Sequence, residues 1–440
     1  MAALLACAVS LPALAQGRVA VVRDAEIETL LRDYAKPVLR AAGLKSSRVQ
    51  IVLVNDRSFN AFVDGQRIFV NTGALTAAEV PNEIIGVLAH EAGHLAGGHQ
   101  QRLREQIATA RTLAIVGSLL GAGAIAAGSI SGNSGGARAG SALITATPSL
   151  VQRNLLSYRR SEEMNADQAA ARYLDATGQS MRGMLTTFQR FSQSLSLSGV
   201  QVDQYQISHP LPRERIALLE ELARNSSHFN ATDPARLVAR HNLMRAKIAA
   251  YTGGAQAVAR LFSKDRGSLA ARYGAAIATD LAGNSASSLQ QMDKLIREQP
   301  KNPYFHEFRG EVLMKLRKND AAVKAFASAV KLDRAKSPLI RARLGFALVA
   351  SGEPGNMKRA IQELRASLQA EPDNFNAYRH LSQAYGLSGD IANAELAMAE
   401  GNFRAGNIRE AKVFAARALQ KLPGGSPGAV RANDILTIGR

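Results

Sequence analysis

His90 and His94 lie four residues apart with Glu91 between them, in the run His90-Glu-Ala-Gly-His94. On an α-helix, residues i and i+4 share a face, so two imidazoles at this spacing can hold one metal ion together. Glu91 sits where it can take a proton from water activated at that ion, which is the chemistry of metal-assisted hydrolysis. With only eight histidines in 440 residues, chance is a poor account of the pattern. The apolar residues Ile84, Ile85, Val87 and Leu88 just upstream fit a buried helix that carries it.

A catalytic zinc takes three protein ligands and keeps one position open. His99 follows His94 by five residues, and on a continuing helix that spacing turns it off the shared face. It is therefore expected to have a structural or supporting role. A better third ligand lies in residues 158–168. Glu163 and Asp167 share a helix face there. Glu163 could complete the metal shell, and Asp167 could hydrogen-bond a ligand histidine and fix its tautomer. The pair could equally be an exposed acidic face, because Glu162 and Glu163 stand close to Arg159 and Arg160.

Elements must position these residues. Ile27, Leu30, Leu31, Tyr34, Val38 and Leu39 recur at helical spacing within residues 18–48. Residues 49–54 and 67–71 are short β-branched and apolar runs that read as strands. Asn82 and Glu83 open a helix after Pro81, and it is expected to run past His99. Further helices are predicted from about Ser149 to Ala176 and from about Arg182. Between them, residues 112–137 carry no charge. That stretch is long enough to span a bilayer, but it is rich in Gly, Ala and Ser and ends in a Gly-Ser tract. It reads as a buried or membrane-touching hairpin, or a mobile flap beside the site, in preference to a span.

From about residue 234 the texture changes to helix pairs at regular spacing. Gly310, Ala322, Phe326 and Ala329 are followed by Gly345, Ala360, Leu364 and Pro372. Tyr378, Leu381, Tyr385, Gly389 and Ala394 come next, then Gly406, Ala411, Ala415, Ala418 and Pro423. This register resembles tetratricopeptide repeats over about 270–423. Repeats of this kind bury their cores between neighbours and leave a concave surface for protein recognition.

Residues 1–15 are uncharged and apolar and end in Ala13-Leu14-Ala15, the small-x-small form of a signal-peptidase site. The single cysteine, Cys7, lies within this leader, so a disulfide scaffold is excluded and the mature chain is expected to be thiol-free. That is compatible with an oxidising periplasm. Lys and Arg number 54 against 36 Asp and Glu, a net +18, while charged residues make up 20% of the chain and apolar ones 46%. Full disorder is excluded. The basic residues form no long run, so the charge reads as a solvated surface, or one drawn to anionic membranes or acidic partners, with no nucleic-acid partner expected.

His90-Glu-x-x-His94, Glu163-x-x-Ala166-Asp167 and His209-Pro210 with Arg215 together resemble the membrane-associated metallopeptidases that include HtpX and the CAAX prenyl proteases. Asn60-Ala61-Phe62 and Asn71-Thr72-Gly73 are similar to that family's upstream segment. With a leader in front and repeats behind, the chain resembles the family's periplasmic subgroup, the β-barrel assembly-enhancing proteases. Asn165 and Gln168 depart from the family pattern without touching a proposed ligand. The resemblance implies zinc ligands His90, His94 and Glu163, one Zn2+ per chain, Glu91 as general base and His209 near the metal. His209 is followed by the extended Pro210-Leu211-Pro212 segment. So held, it could donate to the developing oxyanion or occupy the open zinc position in a resting state. Arg215 either orients site carboxylates or makes an ordinary surface pair.

The expected fold is mainly α with a small β-sheet: a zincin-like metalloprotease domain (16–232) after the signal peptide (1–15), then an α-solenoid of tetratricopeptide repeats (233–440). The Gly/Ala-rich segment 112–140 lies inside the first domain. The expected function is hydrolysis of misfolded or stalled outer-membrane proteins in the periplasm. The repeats would engage the β-barrel assembly machinery, with peripheral contact to the membrane. Strand 67–71 is expected to offer an open edge on which an extended substrate pairs. The competing readings are a chaperone or adaptor with little turnover and an integral membrane protease.

Overall fold

The computed structural model describes residues 20–131, 134–197, 209 and 213–438. The leader (1–15) and the Pro210-Leu211-Pro212 segment lie outside the described residues. The chain forms two compact units. One comprises residues 20–22 and 34–232, the other 23–33 and 233–440. Residues 23–33, placed from sequence in the first domain, cluster with the second unit.

The first unit is built on a four-stranded sheet and a buried helix. Strands β1 (Val21–Val22), β2 (Gln50–Val54), β3 (Ala61–Asp64) and β4 (Arg67–Asn71) lie in the order β1-β2-β4-β3. β2 and β4 are parallel, with Gln50 opposite Arg67, while β3 and β4 form an antiparallel hairpin through Gly65 (φ 60°). This corrects the expected edge: β4 is interior, and the open edge beyond it belongs to β3, which the sequence did not reveal. A four-residue strand (Ala-Phe-Val-Asp) shows too little alternation to stand out from the loop around it.

Helix α1 (Ala25–Ala41) buries Leu30, Leu31, Tyr34, Val38 and Leu39, the stripe read from its periodicity. Helix α2 (Thr72–Ala77) follows β4 directly, and α3 (Pro81–Gly97) starts with Pro81 in its first turn. From Pro81 to His94 every residue of α3 is buried, so the helix is the core of the unit. It ends at Gly97 and does not run on through His99. Gly98 takes the left-handed conformation (φ 64°), its N–H bonds back to His94 and Leu95, and a new helix begins.

That new helix, α4 (His99–Ser131), packs along α5 (Ser134–Ala176) as a long helical hairpin containing the uncharged segment. Helix α5 therefore starts well before the expected Ser149. Helices α6 (Arg182–Leu197) and α7 (Arg213–Asn225) complete the unit. Leu174, Met184, Phe188 and Leu219 are buried, α5 and α6 pack on α3, and α7 packs on α5 and α6.

The second unit is an α-solenoid. After the long α8 (Ala235–Leu261), bent at Gly254 (φ 64°), helix pairs follow in succession. They are α9 (Leu269–Leu281) with α10 (Ser285–Glu298), α11 (Pro303–Lys315) with α12 (Asn319–Leu332), and α13 (Pro338–Ala350) with α14 (Met357–Ala370). Then come α15 (Phe375–Leu387) with α16 (Ile391–Arg404), and α17 (Ile408–Leu419) with α18 (Pro427–Thr437). The pairs contribute small and apolar side chains to successive cores, with Ala322, Phe326, Leu344, Ala360 and Leu364 in the middle one. Residues 23–33 pack into this unit, with Asp24 and Glu26 set against buried Lys247 at 2.7 and 3.2 Å.

Candidate metal centre

Helix α3 presents His90 and His94 on one face, with Nε2 atoms 3.0 Å apart. Helix α5 crosses α3 closely because position 93 is glycine; a β-carbon there would lie 2.9 Å from the carbonyl oxygen of Ala166. That approach brings Glu163 to the histidine face. Its carboxylate oxygens are 3.3 Å from His90 Nε2 and 3.4 Å from His94 Nε2. His209 comes from the segment before α7. Its Nδ1 is 3.1 Å from both Glu163 oxygens and 3.3 Å from His90 Nε2.

These four buried residues each offer one donor atom, and all four atoms lie within 4.8 Å of one another. The set fits a tetrahedral metal. Ligand bonds of about 2.0–2.1 Å place the donors of a tetrahedron roughly 3.3 Å apart, close to the separations observed. Three imidazole nitrogens and a carboxylate also match the borderline ligand preference of zinc. Without an ion, the convergence of three buried ring nitrogens would leave lone pairs facing one another, since a neutral imidazole has only one N–H.

The outer atoms of the cluster are held as well. His90 Nδ1 lies 2.9 Å from Asp167 Oδ1, and Asp167 in turn receives a two-pronged bond from Arg215 at 2.6 and 2.8 Å. A third Arg215 nitrogen reaches Glu163 at 3.0 Å. Arg215 is 1% exposed and its guanidinium lies over the Phe188 ring. Glu163 and Asp167 are thus buried parts of the cluster, not an exposed acidic face, and Arg215 is not a surface pair. His209 Nε2 lies 3.3 Å from the carbonyl oxygen of Ala61 on β3. Donation there would free the Nδ1 lone pair for a metal at the cluster, whereas without a metal a protonated Nδ1 can donate to Glu163.

His99 differs most from the sequence argument. Because Gly98 breaks the helix, the His99 ring turns back over the end of α3 and meets His94, Nδ1 to Nδ1, at 2.8 Å. Its other nitrogen is 2.8 Å from Glu162, which also binds Arg102 at 2.9 Å. Burial, and then the charge of His94, push the His99 pKa down to about 4. Burial also disfavours a charged His90, but the hydrogen bonds it donates to Asp167 and Glu163 outweigh it and push its pKa up to about 10. Burial would raise the Glu163 carboxyl. The charge and hydrogen bond of His209, with the bonds from His90 and His94, hold it well below the usual range.

Glu91 is fully buried, and neither of its carboxylate oxygens has a hydrogen bond among the described residues; its Oε1 lies 3.6 Å from His209 Nε2. Desolvating a carboxylate without hydrogen bonds is costly. The position is explained if its partners are water and substrate arriving in the cleft. That cleft, of about 170 Å³, is lined by Phe62, Val63, Leu103 and Tyr158 beside Glu91, His94 and His209.

Residues 22–223 match peptidase family M48. This domain is an M48 metallopeptidase. Over a larger span the chain is similar to two curated relatives. The beta-barrel assembly-enhancing protease of Yersinia pestis is 25% identical over 78% of this chain and 69% of its own length. The protein of the same name from Escherichia coli strain K12 is 21% identical over 90% of this chain and 79% of its own. Among solved structures, a tetratricopeptide repeat protein from Parabacteroides merdae aligns with 57% of this chain and 97% of its own, at 13% identity and a TM-score of 0.29. Within the M48 domain, Gln100, Leu103 and Tyr158 are cleft residues that the sequence reading did not single out. Gln100 and Leu103 follow the helix break at Gly98, and a break of that kind was the signal that could have found them.

Proposed function

We propose that this M48 metallopeptidase is a zinc endopeptidase of the periplasm that hydrolyses unfolded or misassembled outer-membrane proteins. The substrate and compartment are inferred from the printed names of its relatives. The observation that carries the reading is Glu91: a buried carboxylate without a hydrogen bond among the described residues, beside three histidines and a glutamate at tetrahedral spacing. His90, His94 and Glu163 would hold one zinc ion. When bound, that ion supplies Lewis acidity toward the scissile carbonyl and toward water. Glu91 accepts a proton from the attacking water and returns it to the leaving amine. Asp167, anchored by Arg215, fixes the His90 tautomer so that its Nε2 faces the cluster. An extended substrate would pair with the open edge of β3, whose alternate backbone groups at Ala61 and Val63 face away from β4. The solenoid would bind client proteins and the β-barrel assembly machinery.

His209 Nδ1 sits among the donor atoms, which favours a second, compatible reading. In the resting state His209 fills the fourth position and restrains turnover, so that adaptor activity accompanies proteolysis. Glu91→Gln tests the mechanism. It should retain zinc while cleavage of an unfolded outer-membrane protein falls by about 10²–10⁴-fold. Undiminished cleavage would refute the assignment, and rescue of an outer-membrane defect by the same variant would favour the adaptor role.

A further inference from the structure

Beyond the site residues at their bases, the α4–α5 helices continue as an arm of the first unit that contributes no side chain to the metal cluster or the cleft. Within His99–Ala127 an 18-residue window has a mean hydropathy of 1.6, yet only 11% of that window is buried. Leu113, Ile115, Val116, Leu119, Leu120 and Ile130 all project into the surroundings. The stretch is neither a core helix, which would be buried, nor an N-terminal leader.

We propose that this hairpin inserts into an anionic phospholipid bilayer and docks the enzyme on it. Four independent observations favour lipid over another protein surface. First, the arm is uncharged from Thr112 to Ala137 and again from Ala139 to Gln152. From Thr112 to the end of α4 it is about 30 Å long, which is roughly one hydrocarbon thickness. Second, its hydroxyls are turned inward. Thr112, Ser118 and Ser129 donate to the carbonyls of Ala108, Ala114 and Ile125 at 2.8–3.1 Å. Hydrocarbon demands such internal satisfaction, whereas water does not. Third, the two helices meet backbone to backbone. A β-carbon on Gly121 would lie 2.8 Å from the Gly140 carbonyl oxygen, and one on Gly140 would lie 2.5 Å from that of Gly121. Close approach through glycine is how helices associate where no hydrophobic effect drives them together. Fourth, apart from exposed Arg138 four residues into α5, near the turn of the hairpin, the charges flank the apolar zone. Exposed Arg111 and Arg153 stand at its base, with Arg102, Arg104 and Arg160 below them and Glu105 the only acid between His99 and Arg160. Arginines in that position reach lipid phosphates while their stems stay in the apolar layer. The proposal does not depend on the peptidase reading.

Flotation of the full-length protein with phosphatidylethanolamine–phosphatidylglycerol vesicles (3:1) tests it. The protein is expected to rise with the vesicles, and to bind pure phosphatidylcholine several-fold less. The double substitution Leu119→Asp/Leu120→Asp should abolish flotation with unchanged circular dichroism, since both side chains are exposed. A dye on a single cysteine placed at Val116, with Cys7→Ser, should shift to the blue and be quenched by lipids brominated in the acyl chain. Absence of flotation, flotation that survives the aspartates, or a label that stays aqueous would overturn the proposal. So would a hairpin-mediated dimer that the aspartates dissociate and the vesicles do not.

Discussion

At the scale of single residues, the support around the proposed metal-holding side chains is as ordered as those side chains themselves. His94 is steadied by His99, which is steadied by Glu162 and Arg102. We expect His99→Phe and Glu162→Gln each to weaken zinc binding by about 10–100-fold, read by competition with a chromogenic chelator. Unchanged affinity would show the chain of contacts to be incidental. The two histidines and Glu91 were legible in the sequence because helix periodicity alone places them. Asp167 and Arg215 were legible only as alternatives, since nothing in a spacing says whether a carboxylate four residues from another faces solvent or a buried guanidinium. His99 was misread because the periodicity argument assumed an unbroken helix. One left-handed glycine at position 98 reset the direction of everything after it.

At the scale of elements, β3 is the one to watch. Its pairing with β4 bonds Asn60, so Ala61 and Val63 alternate outward to the free edge. Two side chains already occupy that edge. His209 meets the Ala61 carbonyl, and the Gln100 amide donates to the Val63 carbonyl while accepting from Gly65 N–H at 3.3 Å. A substrate strand must compete with Gln100 for those groups. Gln100→Ala should therefore lower KM for an unfolded substrate with kcat little changed, and a change confined to kcat would refute this. The repeats were legible element by element, because each helix pair buries its own small residues in a fixed register. The sheet order was not, because the order of strands in space is set by long-range packing that no local pattern encodes.

At the scale of the molecule, the N-terminal segment 23–33 and the solenoid are joined by buried charge. Lys247 is held by Asp24 and Glu26, and Tyr273 donates to Glu26 at 3.0 Å. Burial opposes the charge of Lys247, but Asp24, Tyr273 and Glu26 outweigh it and hold its pKa well above the usual value. Lys247→Met would leave Glu26 and the partly exposed Asp24 without their countercharge, at a cost of about 3–5 kcal/mol in urea unfolding. A loss below 1 kcal/mol would mean that water replaces the lysine. Glu307 lies in the same network with one carboxylate oxygen unbonded, and burial raises its pKa well above 4.5. An acid with a raised folded pKa supports the fold only below its unfolded value and loses that contribution as pH rises. Glu307→Gln should therefore flatten the decline of stability above pH 4.5, seen as melting temperatures that diverge from the parent's toward neutral pH.

Helix α5 runs without interruption from the hairpin to Glu163 and Asp167. The apolar arm and the carboxylates of the centre therefore keep one rotational phase, like marks on a single shaft. Inserting one residue after Arg153 would turn the arm by about 100° relative to Glu163, whereas seven would return it to within about 20°. The enzyme's orientation over any surface it rests on is thus written into the count of residues between Arg153 and Glu163.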